Sequence, residues 1–171
     1  MRKTRRTANY PGLNCRLGQL GFTLIELIMV IVLIGVLSIY AAPRMFNSGV
    51  FYARGFHDET LALLRYAQKA AIAQRRTVCV TFTSTTAFLT IAAAATATSC
   101  VGNSLVGPKG DSPATITAKS GAGYSGAPTS FNFNGQGQPV DSTGALLATQ
   151  TIVLLNAANV VVEAGTGYVH E

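Results

Sequence analysis

The chain has 171 residues, room for one domain of ordinary size, and a formal net charge of +6. Five of its thirteen bases, Arg2, Lys3, Arg5, Arg6 and Arg16, precede a long apolar run, none of the seven acids does, and the body from Phe22 onward is therefore close to neutral. That distribution argues against a nucleic-acid footprint and marks instead the cytoplasmic end of a membrane segment, because Lys and Arg flanking a span stay on that side.

Residues 1–21 read as a basic, polar leader containing Pro11 and Gly12, with no helical apolar period. Residues 22–42 are apolar on nearly every face and are interrupted near their start by Thr23 and Glu26. At about 1.5 Å per residue this run extends roughly 32 Å as a helix, which matches a hydrocarbon core of about 30 Å. The remainder would then face an oxidising compartment, where cysteines pair. With Cys15 in the leader, Cys79 and Cys100 are left as a candidate disulfide, two buried free thiols being the alternative.

Pro43 and a more polar stretch with Gly49 and Gly55 follow the run. From about Asp58 the period is that of an amphipathic helix, with Leu61, Leu64, Ala67, Ala71 and Ile72 on one stripe. Asp58, Glu59 and Thr60 suit its start, and Arg75 and Arg76 suit its end by dipole sense. The alternative is a helix unbroken from Phe22 to about Arg76, in which Pro43 is a kink.

Beyond Arg76 the helical period is lost. "TVCVTFT" and "AFLTIA" predict a β-hairpin, and Ala114–Ala118 a further strand. Phe131 and Phe133 alternate before the Gly-rich turn of "NGQGQP". "QTIVLLN" and "NVVVEA" predict a second hairpin, and "GYVHE" an edge segment. The expected fold class is α+β, a long N-terminal helix packed on a C-terminal antiparallel sheet.

An ordinary secretory signal explains this N-terminus poorly. Its apolar region exceeds the usual 7–15 residues, and a carboxylate within a span costs on the order of 2.5–3.5 kcal/mol at the centre, less near an end. "G-F-T-L-I-E" followed by an apolar span instead resembles the class III signal of type IV pilins and type II secretion pseudopilins. The resemblance implies removal of residues 1–21 by a prepilin peptidase that cuts between Gly21 and Phe22 and N-methylates Phe22. It also implies an assembly role for Glu26, opposite the N-terminal amine of a neighbouring subunit, and a helix-bending role for Pro43.

Carried along the chain, the resemblance implies a transmembrane and assembly half of the helix over 22–42, an amphipathic half over 43–76, and a periplasmic antiparallel sheet over 77–171. "LALLRYAQKAAIAQRRTVCVTF", "FNFNGQGQP" and "VVVEAGTGYVHE" are similar to GspH/FimT-type minor pilins, and a minor pilin of an MSHA-type pilus fits equally well. The implied function is a structural subunit that helps initiate or cap a type IV pilus. The alternatives are a minor pseudopilin of type II secretion and, further off, a DNA-uptake receptor pilin.

The implied partners are other pilins or pseudopilins, the processing peptidase and the inner membrane. Some pilins of this group bind DNA through a Gly-Arg-x-Arg motif near the C-terminus. Gly167–His170 here reads "G-Y-V-H" and lacks both arginines, which leaves Arg65, Lys69, Arg75 and Arg76 as the candidate basic patch. No phosphate loop, G-x-S-x-G or metal-ligand spacing occurs, so no enzyme activity, cofactor, metal or small-molecule ligand is expected.

Overall fold

The computed structural model describes the backbone of residues 21–45 and 48–171, and side chains over 21–39 and 49–171. The chain divides into two compact units, residues 1–44 and 45–171, each described here by itself. The fold is α+β, with an N-terminal helical region followed by a second helix and antiparallel sheets.

The first unit contains helix α1, Leu24–Met45. No helix among the described residues is long and apolar enough to cross a membrane. The described side chains of α1 end at Ile39, so the expected span over 22–42 runs past them. The kink expected at Pro43 also lies outside the described side chains.

In the second unit, helix α2 covers Ser48–Gln74 and begins ten residues before the expected start at Asp58. The cause is the buried stripe, which starts at Ala53 and Phe56 and continues through Thr60, Leu64, Ala67 and Ala71 at a helical period. Two polar residues, His57 and Thr60, sit on that stripe and hide its early part from a hydropathy reading. Thr60 is buried without penalty: its hydroxyl donates to the Phe56 carbonyl at 2.8 Å and lies 3.2 Å from the Tyr124 hydroxyl. Leu63, not expected on the stripe, is buried, and Ile72, expected on it, is 47% exposed.

The helix ends in a Schellman motif. The Arg76 N–H donates to the Ala71 carbonyl and the Arg75 N–H to the Ile72 carbonyl, with Arg75 at φ 50°. Gly135 backs onto this end: a Cβ there would stand 3.1 Å from the Arg75 carbonyl carbon, which accounts for a glycine in "NGQGQP".

One antiparallel sheet was expected; there are two. The larger has the order β3-β2-β1-β4-β5, from strands Val78–Phe82 (β1), Thr86–Ile91 (β2), Thr115–Thr117 (β3), Phe131–Phe133 (β4) and Pro139–Val140 (β5). The smaller has the order β6-β7-β8, from Gln150–Ile152, Val160–Val162 and Val169–His170. Both predicted hairpins are present, as β1–β2 and β6–β7. Strand β1 is central and alternates buried Val78, Val80 and Phe82 with less buried positions, the period-two pattern of a half-covered sheet.

Helix α2 holds the two sheets together. Arg65 Nε donates to the Val169 carbonyl on β8 at 3.1 Å. The Gln68 amide donates to the carbonyls of Gly137, between β5 and β4, and Thr166, between β7 and β8. Gln138 Nε2 reaches the Gly165 carbonyl at 2.9 Å, which closes the same junction. The core beneath α2 is Leu64, Val78, Val80, Leu89, Phe133 and Val160, all fully buried.

A disulfide joins Cys79 on β1 to Cys100, with 21 residues of separation and Cα atoms 6.1 Å apart. It fastens the irregular segment after β2 to the central strand.

Two stability outcomes follow, each measured by denaturant unfolding of the detergent-solubilised chain. Gly167 has φ +64° and its absent Cβ would collide with the Gly137 carbonyl oxygen. Gly167→Ala should destabilise by about 2–4 kcal/mol, from left-handed backbone strain and overpacking; an unchanged midpoint would show that the junction gives way freely. Replacing Cys79 and Cys100 together by Ala should cost about 3 kcal/mol, the loop-closure value for a ring of this size. Wild-type protein under reductant should fall to the same midpoint.

Candidate functional site

The residues singled out for processing and assembly, Gly21, Phe22 and Glu26, lie at the start of α1. Gly21, Phe22 and Thr23 are non-helical, and the helix begins at Leu24. Thr23 is the cap: its Oγ1 accepts the Glu26 N–H at 3.3 Å, and its carbonyl accepts the Leu27 N–H at 3.2 Å. Thr23 and Glu26 thus stand at the spacing of a capping box, and Glu26 lies in the first turn, where the positive end of the helix dipole favours an acid. This gives Glu26 a local reason to be there besides the assembly role implied by resemblance. The T-x-x-E signal was present in the sequence and was passed over.

The Gly21–Phe22 peptide bond lies just ahead of that cap, in exposed chain. Phe22 is 81% exposed. A Cβ on Gly21 would meet no atom within 4 Å, so the described fold itself makes no demand for glycine there. Among the described residues Glu26 forms no ion pair.

From Leu24 to Ile39 the side chains of α1 are exposed on every face; even Ile28 and Val30 are 42% and 45% exposed. The one hydroxyl within this stretch, on Ser38, donates to the Ile34 carbonyl at 2.7 Å. Apart from the Glu26 carboxylate, the outward surface of this stretch is hydrocarbon, since its one hydroxyl is turned back onto the helix, as suits a segment in an apolar medium.

The other end of the chain carries acid–base chemistry of a different kind. His170 Nε2 lies 2.9 Å from Glu163 Oε1 across β7 and β8, and the Tyr168 ring stacks on the imidazole with centroids 5.4 Å apart. The hydrogen bond from His170 holds the Glu163 carboxyl below its ordinary pKa, and Glu163 raises that of His170. Where a Gly-Arg-x-Arg motif would place free cations, this chain has a self-paired acid and base. Of the candidate basic patch, Arg65 Nε donates to the Val169 carbonyl. The His170–Glu163 pairing had no sequence signal, because it depends on the register of β7 against β8. Among the described residues, no group of three or more His, Cys, Asp or Glu is arranged to hold a metal ion.

Residues 16–42 match the family model described as the prokaryotic N-terminal methylation motif, a segment that includes Gly21, Phe22 and Glu26. No curated protein and no solved structure compared with the chain gives a match. The chain carries a class III signal motif over residues 16–42, consistent with a type IV pilin-like protein.

Proposed function

We propose that the chain is a minor pilin-like structural subunit of a type IV pilus. It is inserted in the inner membrane with its N-terminus cytoplasmic, cut between Gly21 and Phe22 by prepilin peptidase, and N-methylated on Phe22. The helix over 22–42 then anchors the subunit and later packs among its neighbours. The amphipathic helix over 43–76 and the β-domain over 77–171 lie in the periplasm, and the subunit helps initiate or cap the filament. Its role is structural rather than enzymatic.

The observation that carries this reading is the methylation motif over 16–42, coincident with an exposed Gly21–Phe22 junction ahead of a capped helix whose exposed surface is apolar beyond Glu26. Glycine before the scissile bond leaves the backbone free to enter a protease cleft. Glu26, one turn on, supplies a charge that attracts a neighbouring N-terminal amine in a low-dielectric filament core.

Intact mass and N-terminal sequencing of protein recovered from membranes, with and without the peptidase, test the processing step. The expected mature chain begins at methylated Phe22; a start near Ala42, or retained Met1, overturns the reading. The cap uses the Glu26 backbone N–H and persists in either variant; Glu26→Gln removes the charge and keeps the side chain's size, while Glu26→Ala removes both. Both variants should still be cleaved. Their recovery in sheared filaments should fall by about two orders of magnitude, as loss of one partner of a desolvated pair costs about 3 kcal/mol. Normal recovery of the Gln variant would remove the charge-pairing account.

A further inference from the structure

The Gly21–Phe22 bond sits just ahead of α1, and the hydrogen bonds at the helix start show which group keeps it there. The first carbonyl the helix uses is that of Thr23, which accepts the Leu27 N–H at 3.2 Å. The Thr23 hydroxyl accepts the Glu26 N–H at 3.3 Å. Gly21 and Phe22 stay outside the helix. Among the described residues, the Gly21 carbonyl accepts no backbone N–H.

The competing arrangement is a helix two residues longer. An α-helix bonds each N–H to the carbonyl four residues back. Begun at Phe22, it would join the Ile25 N–H to the Gly21 carbonyl and the Glu26 N–H to the Phe22 carbonyl. An apolar surrounding favours every such bond, because nothing in it can replace one. Two features oppose the extension. Phe22 and Thr23 are weak helix formers. The Thr23 hydroxyl also satisfies the Glu26 N–H, which removes one of the two bonds the longer helix would add.

Where the helix starts matters to hydrolysis of this bond. Water adds to the Gly21 carbonyl carbon, negative charge gathers on its oxygen, the C–N bond breaks, and the Phe22 nitrogen leaves with a proton as the new amine. A peptidase must reach that carbon and supply its own donors to the oxygen. Bonded to the Ile25 N–H, the oxygen would be occupied and the carbon flanked by the first turn. Left out of the helix it is open to the enzyme, beside a Phe22 that is 81% exposed.

We infer that Thr23 is a positioning residue for the cut: its side-chain cap fixes the start of α1 at Leu24 and so keeps the scissile carbonyl of Gly21 out of the helix. The inference rests on the cleavage in the proposed function and adds the feature of the chain that exposes the bond. Gly21 by itself does not expose it, since glycine is a tolerated cap and would serve a helix that begins at Phe22.

The test uses the full-length, uncut chain in detergent, as wild type and with Thr23→Ser, Thr23→Asn, Thr23→Val or Thr23→Ala. The carbonyl carbon of Gly21 and the amide of Ile25 report by NMR whether the bond between them has formed. Mass spectrometry gives kcat/KM for the cut by the peptidase. Serine and asparagine cap at least as well as threonine, whereas valine keeps its shape without the hydroxyl. Thr23→Ser and Thr23→Asn should therefore match wild type in both readouts. Thr23→Val and Thr23→Ala should shift the ratio of short to long helix by about fivefold toward the long one, and kcat/KM should fall with it.

Equal kcat/KM for every variant overturns the inference and leaves the proposed function standing. So does slower cutting of Thr23→Val and Thr23→Ala with no change in the Gly21 and Ile25 signals. If Thr23→Val is cut like wild type while Thr23→Ser and Thr23→Asn are slow, the enzyme reads the shape of the side chain directly, and the inference again falls. A wild-type chain that the peptidase does not cut between Gly21 and Phe22 overturns both readings.

Discussion

An uncovered apolar helix cannot rest in water, and that constraint governs this molecule. From Leu24 to Ile39 the described side chains of α1 are exposed on every face. At 1.5–3 kcal/mol for each large apolar side chain buried, hiding them is worth on the order of tens of kcal/mol. That exceeds the 5–15 kcal/mol by which a domain is ordinarily stable. A surrounding that is itself apolar must therefore be supplied from outside the chain, by lipid tails or by other helices. The two supply similar chemistry, and a helix apolar all round suits either in turn. A one-sided amphipathic helix would suit neither.

The second unit answers the opposite problem, since its helix must present one face to protein and another to water. It does so with small residues: Ala53, Ala67, Ala70 and Ala71 let α2 lie close over the sheets, and Phe56, Leu63 and Leu64 fill the gaps. The polar positions on the same stripe are handled locally. Thr60 and Tyr124 share a buried hydrogen bond beside the Phe56 ring, and burial pushes the Tyr124 phenol up to about 12, so it stays neutral. Because α2 spans both sheets, Gln68 can serve the turns of each at once. Closeness at that junction explains why Gly137 and Gly167 meet there: any side chain on Gly167 would take the space of a carbonyl oxygen.

How much of this was legible in the sequence depended on whether a signal was local. The leader, the apolar run and the Gly21–Phe22–Glu26 spacing are contiguous, and so were readable. The hairpins β1–β2 and β6–β7 were readable because alternation and a turn lie within a dozen residues or so. Of the two readings of α2, the start at Asp58 is too late and the helix running through the preceding residues fits better, because Gly49, Gly55, His57 and Thr60 look like loop or cap residues in one dimension and are buried or tolerated only once the sheets are in place. The split into two sheets was invisible for the same reason: strands of two or three residues carry almost no period. Arg65 reads in the sequence as part of a candidate basic patch, yet its partner is the carbonyl of Val169, 104 positions away.

The capping of α1 bears on how a single acid serves two ends. The cap uses the Thr23 hydroxyl and the backbone N–H of Glu26, and the Glu26 carboxylate has no ion-pair partner among the described residues. A cut between Gly21 and Phe22 leaves Thr23 on the mature side, so the helix start survives removal of everything before it. The same cut would create an α-amine two residues before Leu24, the first residue of α1, beside the positive end of its own dipole. That amine is repelled by its own helix and by its own unpaired N–H groups. A carboxylate held on the first turn of an adjacent helix offers it better surroundings than an apolar face could. The acid therefore stabilises its own helix through the first-turn dipole, and under the proposed processing its charge would gain a partner only after the cut, when a neighbour brings an amine to meet it.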